Sequence, residues 1–374
     1  MTVCPPVHAV PFFDYAATFR ADEERLVEIF RRTGRRGAFI LQDELREFEE
    51  RLAAFAGVGH AVGVANATDG LHLALRAAGI GPGDEVIFSS HTMVATAAAI
   101  HFAGATPVPV ECGADHLIDP RAAAAALTPR TRALLPTHLN GRLADLPALR
   151  ALARWHGLLV IEDAAQALGA RLDGEGAGAG TAAAAVSFYP AKSLGSLGDG
   201  GAVLTNDAEL ARRLRALRDH GRDESGAVAC WGFNSRLDNL QAAFLSARLE
   251  DYGAAIARRR ALAARYDRAL RDLAEVALPP PPEEGGGRFD IFQNYEIEAR
   301  DRDGLRRALA ARGIGTLLPW GGRAVHQWPA LGFATRLPYT ERMFERVLLL
   351  PLHPHLAGDD VDAVARAIRE YYGR

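Results

Sequence analysis

The run Leu158-Leu159-Val160-Ile161-Glu162-Asp163-Ala164-Ala165-Gln166 constrains the fold more than any other stretch. It is apolar up to a pair of carboxylates, the pattern of a strand covered on both faces. Such strands belong to parallel sheets sandwiched between helices. The strand delivers Asp163 at its C-terminal end, where open α/β sheets bind their ligands. Asp163 also reads as a helix N-cap before Ala164-Ala165-Gln166, and the two roles are compatible.

The rest of the chain alternates in the same way. Short apolar runs at 61–65, 86–88, 106–110 and 133–136 read as strands. Between them lie helical patterns at 71–78, to about Phe102, from Asp119-Pro120 onward, and at 146–155. A hairpin-like portion spans 187–205, and another helix follows at 207–220. This alternation specifies a mostly parallel sheet with helices on both faces. Ahead of it, residues 1–30 read as an arm with a short helical pattern at 21–30. An amphipathic helix follows, with Leu45, Phe48, Leu52 and Phe55 on one face and Gly57 as its stop. From Leu237 to about Leu273 the pattern is nearly continuous helix, broken near Gly253. A connector rich in proline and glycine spans 279–287. A strand at 295–298 and helices at 303–312 and 361–371 complete a smaller α+β unit. We set the domains at 1–245 and 246–374.

With 374 residues the chain has enough length for two domains with sizeable cores. A net charge of −3 gives no general attraction to nucleic acid or to an anionic membrane. No apolar run is long enough to span a bilayer, and the N-terminus does not read as a signal peptide. Cys4, Cys112 and Cys230 are isolated and odd in number, which fits a reducing cytoplasm and argues against a disulfide or a structural zinc site.

The chemistry concentrates in Ser187-Phe188-Tyr189-Pro190-Ala191-Lys192-Ser193-Leu194-Gly195, followed by Gly198-Asp199-Gly200-Gly201. Alone, Lys192 reads equally as a solvated charge or as a functional amine. Its neighbours are apolar and the nearest other charge is Asp199. Such surroundings disfavour the ammonium and supply free amine for Schiff-base chemistry. Asp163 at a strand end tips the balance. A lysine and an aspartate so placed are what pyridoxal phosphate requires, one to hold it covalently and one to keep its ring nitrogen protonated. Asn66-Ala67-Thr68-Asp69-Gly70 opens a helix, and free N–H groups there make an anion site. An ordinary N-cap by Thr68 or Asp69 is the alternative.

Several segments, in order, resemble the DegT/DnrJ/EryC1/StrS group of pyridoxal-phosphate-dependent, fold-type I sugar aminotransferases. They are Gly37-Ala38-Phe39-Ile40-Leu41, 66–70, Gly79-Ile80-Gly81-Pro82-Gly83-Asp84-Glu85-Val86, Ile161-Glu162-Asp163-Ala164-Ala165-Gln166, 187–194, Asn234-Ser235-Arg236-Leu237-Asp238 and 347–351. The resemblance implies a mostly parallel seven-stranded sheet in the large domain. It implies that Lys192 binds the cofactor and moves protons, that Asp163 pairs with the pyridine nitrogen, and that Gln166 lies near the ring hydroxyl. Thr68, the Asp69 backbone and Ser187 would hold the phosphate. Asn234 would be lent to the phosphate site of a neighbouring subunit, giving a homodimer with shared sites.

The family places an aromatic residue against the ring where this chain has Met93, whose thioether can also pack on a ring face. His91 is an alternative for stacking or for substrate contact. Arg236 is placed to meet a substrate carboxylate or diphosphate, and Trp320, Arg323 and His326 fall where the family has substrate-facing residues. Solvated or core roles are open for each.

The implied reaction passes an amino group from L-glutamate, through the pyridoxamine form, to a nucleotide-linked keto-6-deoxyhexose, with dTDP as the expected carrier. Amination at C4 is expected, with C3 next. Within the same chemistry, a free keto-cyclitol is the alternative substrate. A nicotinamide-dependent dehydrogenase is disfavoured because no G-x-G-x-x-G follows the first strand. A non-catalytic, cofactor-binding regulator is disfavoured because the chain has no added DNA-binding segment.

Overall fold

Successive residues of the central strands face two different helical layers. Val62, Val64, Ala183, Ala185 and Val203 pack in one core cluster, while Ala61, Ala184, Val186, Ala202 and Leu204 pack in another. The period of two in strand side chains makes this split, and small alanines let both layers approach closely. The computed structural model describes residues 9–282 and 287–374. Cys4, the first residues of the arm and 283–286 of the connector lie outside the described residues.

After the arm come α1 (Tyr15–Arg36), α2 (Asp43–Ala56), β1 (His60–Val64), α3 (Ala67–Ala77), β2 (Glu85–Ser89) and α4 (Val94–Phe102). Next are β3 (Thr106–Val110), α5 (Pro120–Ala125), β4 (Thr131–Leu135), α6 (Leu146–His156) and β5 (Leu159–Asp163). The short strands β6 (Arg171–Leu172) and β7 (Glu175–Gly176) lead to β8 (Ala183–Ser187), β9 (Gly201–Thr205), α7 (Ala208–Arg218), α8 (Asn239–Glu250) and α9 (Tyr252–Leu270). The large sheet has seven strands in the order β1-β9-β8-β5-β4-β2-β3. Only β9 runs against the others, pairing antiparallel with both β8 and β1. α3, α4 and α7 cover one face. α2 and α8 cover part of the other, where α5 and α6 pack over β2, β4 and β5.

Helix α1 is much longer than the pattern at 21–30. Asp14 caps it by accepting from the Ala17 N–H at 2.8 Å, and Gly37 ends it in the left-handed conformation. Leu26 and Ile29 anchor it on Ala243, Phe244 and Ala247 of α8. The break between α8 and α9 falls at Asp251, two residues before Gly253.

Beyond α9 come β10 (Val276–Ala277), β11 (Arg288–Phe289), β12 (Tyr295–Ala299), α10 (Arg302–Ala311), α11 (Pro338–Phe344), β13 (Val347–Leu350) and α12 (Gly358–Tyr371). The antiparallel sheet β10-β12-β13 buries Ile297, Leu348 and Leu350 against α9, α10 and α12. Helix α9 joins the two cores, with Ile256 in the large one and Leu262 in the small one. The boundary set after residue 245 falls inside α8, whose Leu249 still packs with the large sheet.

Candidate active site

The antiparallel turn from β8 to β9 holds Lys192 in a tightly tied loop. The Phe188 carbonyl accepts from the Ser196 N–H at 2.8 Å and from its hydroxyl at 2.7 Å. A Cβ on Gly195 would come within 2.5 Å of the Pro190 oxygen, so this close approach requires glycine. From the segment before β12, Gln293 grips the same loop. Its oxygen accepts from the Ser193 N–H at 2.6 Å and its amide donates to the Ala191 carbonyl at 2.9 Å. Burial pulls the Lys192 ammonium down to about 8, with the Asp163 carboxylate opposing the shift.

Asp163 ends β5, is almost fully buried, and is oriented by a chain of hydroxyls. A carboxylate only accepts, so Thr96 must donate to Asp163 Oδ2, which it does at 2.7 Å. Thr96 must then accept from Thr92 (2.8 Å), and Thr92 from Thr137 (2.9 Å). The other carboxylate oxygen accepts from the Ala165 N–H at 3.1 Å. No helix directly follows Asp163, so its bond to the Ala165 N–H closes a turn rather than capping a helix, and the carboxylate still faces the cavity.

At the end of β1, the cap of α3 is Asn66, not Thr68 or Asp69. Its side chain accepts from the Asp69 N–H at 2.9 Å. That N–H, expected to face a phosphate, is already used. The N–H groups of Ala67 and Thr68 precede the first helical hydrogen bond and have no carbonyl one turn back. The Asp69 carboxylate accepts from the Ser235 hydroxyl at 2.7 Å. Gly201 lies against this turn, where a Cβ would meet the Asn66 carbonyl carbon at 2.6 Å.

These parts line one cavity of about 1040 Å³. Thr68, Asp69, Met93, Asp163, Gln166, Ser187, Lys192 and Trp320 all face it, eight of the residues singled out in the sequence. Gln166 accepts from the Asn140 N–H at 2.8 Å. Asn294 donates to the Asn140 side chain at 2.9 Å. Asn140, Asn294, Glu296 and the aromatic rim Phe13, Tyr15 and Tyr189 were not singled out. For Asn140 the signal was the turn dipeptide Asn140-Gly141, and Asn140 does take a positive φ of 56°. Tyr189 was inside the lysine stretch but carried no distinguishing pattern.

The other five expected residues do not line the cavity. Arg236 pairs with Asp219 at 2.8 Å. Arg323 stacks over Trp328, 5.3 Å from the ring centre. His326 is buried between the Ser90 hydroxyl (2.7 Å) and Glu341 (3.2 Å). Asn234 is exposed and bridges to Asp219. His91 is fully buried against Phe344 and His116, so it is not a stacking partner at the cavity. For Arg236, His326 and His91 a neighbour distant in sequence claims the side chain; Arg323 is taken by the nearby Trp328, and the Asn234 bridge is a backbone one.

Behind Glu296, whose side chain reaches the cavity wall, lies a buried charged cluster. His116 donates from one ring nitrogen to Glu296 at 2.7 Å and from the other to Glu298 at 3.1 Å. Against the cost of burial, these carboxylates raise His116 to about 10. Despite that same cost, His91 and His116 hold Glu296 far below the usual carboxylate range.

A desolvated lysine amine, an anchored aspartate at a strand end and open N–H groups at a helix start fit pyridoxal phosphate. The seven-stranded sheet and the smaller C-terminal unit fit the fold that carries it. The class defined in this way is the fold-type I, pyridoxal-phosphate-dependent aminotransferases. Residues 20–369 match the DegT/DnrJ/EryC1/StrS aminotransferase family, and the chain belongs to that family.

The dTDP-3-amino-3,4,6-trideoxy-alpha-D-glucose transaminase of Streptomyces venezuelae is 45% identical over 370 residues, covering 98% of this chain and 97% of that protein. The erythromycin biosynthesis sensory transduction protein EryC1 of Saccharopolyspora erythraea is 42% identical over 365 residues, covering 96% and 99%. The crystal structure of S. venezuelae DesV in complex with a ketimine intermediate matches with a TM-score of 0.94 and 45% identity, covering 98% of this chain and 99% of that one.

Proposed function

We propose that this aminotransferase moves the amino group of L-glutamate to C3 of a dTDP-linked 3-keto-6-deoxyhexose, with C4 the alternative position. The observation that carries the reading is that Lys192, Asp163 and the start of α3 all face one cavity of about 1040 Å³, large enough for a cofactor and a sugar nucleotide. The S. venezuelae transaminase supports the carrier and the carbon, because its name puts the amine at C3 of a dTDP-linked deoxysugar.

Pyridoxal phosphate, when bound, supplies an electron sink that lets protons leave and join the amino-bearing carbon. Lys192 is its covalent attachment point. Once freed, the Lys192 amine, depressed to about 8, takes and returns that proton near neutral pH. Asp163, fixed by the Thr96 hydroxyl, would hold a proton at the ring nitrogen. Gln166 would lie beside the ring hydroxyl, and the Thr68 N–H and the Ser187 hydroxyl would hold the phosphate. Met93, exposed at the cavity, would pack on the ring face. Trp320 borders the sugar or the base.

The active unit is a homodimer with shared sites. Among the described residues lining the cavity, Lys192 is the only cation, which leaves the phosphates of cofactor and substrate short of positive partners. Asn234 is exposed and its neighbour Trp231 is 93% exposed, and neither lines its own cavity, which leaves both available to a second chain. Among the described residues no helix is long and apolar enough to cross a membrane. The free thiols of Cys112 and Cys230 support a cytoplasmic site of action.

The test is to incubate the holoenzyme with L-glutamate and either the dTDP-linked 3-keto or 4-keto 6-deoxyhexose, and to follow 2-oxoglutarate and amino-sugar release. Faster turnover of the 3-keto sugar is expected. Turnover of the 4-keto sugar alone would move the amine to C4. Consumption of a free keto-cyclitol but of neither nucleotide sugar would sink the reading.

A further inference from the structure

Beside the cavity, three side chains from separate parts of the fold converge. His91 lies between β2 and α4, His116 between β3 and α5, and Glu296 on β12 of the C-terminal unit. We propose that His91 Nε2, His116 Nδ1 and Glu296 bind a divalent transition-metal ion of the zinc class, which ties β12 to the large sheet.

His91 Nδ1 lies 3.0 Å from the His116 carbonyl oxygen, an atom that can only accept. The ring must therefore donate there, which leaves Nε2 as its second polar atom, facing Glu296. That nitrogen is buried, has no hydrogen-bond partner among the described residues, and lies 3.5 Å from Glu296 Oε2. At that separation the two atoms are too far apart for a good hydrogen bond, and a metal cation between them would bridge both.

The third donor completes the set. His116 Nδ1 is 2.7 Å from Glu296 Oε1, while its Nε2 is 3.1 Å from Glu298 Oε1. With Nε2–H donated to Glu298, the Nδ1 lone pair is free for a metal. Both imidazoles then have an oxygen acceptor behind them, a carbonyl for His91 and a carboxylate for His116. That is how metal-ligating histidines are oriented. The three ligand atoms lie within 4.8 Å of one another. Zinc takes His nitrogen and carboxylate oxygen at about 2.0–2.2 Å, so small side-chain shifts close the site. A cavity of about 110 Å³ borders His116 and Glu296 and has room for a water as fourth ligand. Binding displaces the proton that otherwise sits between His116 and Glu296.

The experiment uses the untagged full chain after chelator dialysis, titrated with Zn²⁺ alone by calorimetry and with Co²⁺ alone by visible absorbance. One zinc per chain, a cobalt band with nitrogen and oxygen ligation, and a zinc-dependent rise in melting temperature are expected. His91→Ala should weaken zinc binding about 100-fold or more. Cys230→Ser, which removes the exposed thiol, should leave it unchanged. Failure of the unaltered chain to bind either metal would overturn the proposal. Binding that persists undiminished in a folded His91→Ala chain would overturn it too. Because neither titration reads transamination, failure here leaves the proposed reaction untouched, and the reverse holds as well.

Discussion

Lys192 and Asp163 divide the chemistry through their surroundings, and each supports a measurement. Lys192 has its ammonium depressed to about 8, whereas a solvated lysine keeps it near 10. The apo chain should therefore take up pyridoxal phosphate faster as pH rises through about 8, then level off, when followed by visible absorbance. A rate still climbing steeply near pH 10 would show an ordinary lysine. Lys192→Ala should abolish turnover by about 1,000-fold or more, since it removes both the attachment point and the proton carrier. Thr96→Val removes the single hydroxyl donated to Asp163 Oδ2. It should loosen cofactor retention several-fold on equilibrium dialysis, with Thr96→Ser restoring it. Equal retention in the valine variant would show that the hydroxyl chain only fills space. These two residues were legible because each sits in a local pattern, an apolar run ending in a carboxylate or a lysine among small residues. The places of Arg236 and His326 were not, because their partners, Asp219 and Glu341, are set by tertiary packing and leave no trace in neighbouring sequence.

Among the elements, the β1–α3 turn matters most, because Asn66 and Gly201 shape it together. Gly201→Ala would drive a methyl into the backbone of Asn66 and Ala67. The variant should be destabilised by about 1–3 kcal/mol, with a matching loss of cofactor affinity, read by thermal melting with and without pyridoxal phosphate. A normal melting temperature and affinity would mean that the turn yields without cost. Most strands and helices were readable from periodicity. The turn back from β8 to β9 was readable as a hairpin-like portion, and the two strands do pair antiparallel; the pairing of β9 with the edge strand β1 was not, because all five residues of Gly201–Thr205 are buried and name no partner. The extent of α1 was also hidden. Its last turn, rich in arginine, packs little, and its ends are fixed by Asp14 and Gly37 rather than by apolar spacing.

At the scale of the whole molecule, the proposed dimer makes a prediction that no single chain can meet. Asn234→Ala and Lys192→Ala chains, each inactive or weakened alone, should recover activity when mixed and allowed to exchange subunits. One of the two sites in a hybrid then keeps both residues. Hybrids shown to form by native mass spectrometry, yet without rescue, would mean that Asn234 serves no neighbouring site. The pairing of β1 with β9 has a further consequence, in time rather than space. His60 lies opposite Thr205 and Val64 opposite Gly201, so the strand that leads into the phosphate turn has no partner on that edge until β9 exists. During synthesis, more than half the chain must leave the ribosome before the turn can close, and pairing across so long a separation is slow. The nascent protein cannot capture its cofactor early. Cofactor uptake therefore marks the moment when the large sheet is finished.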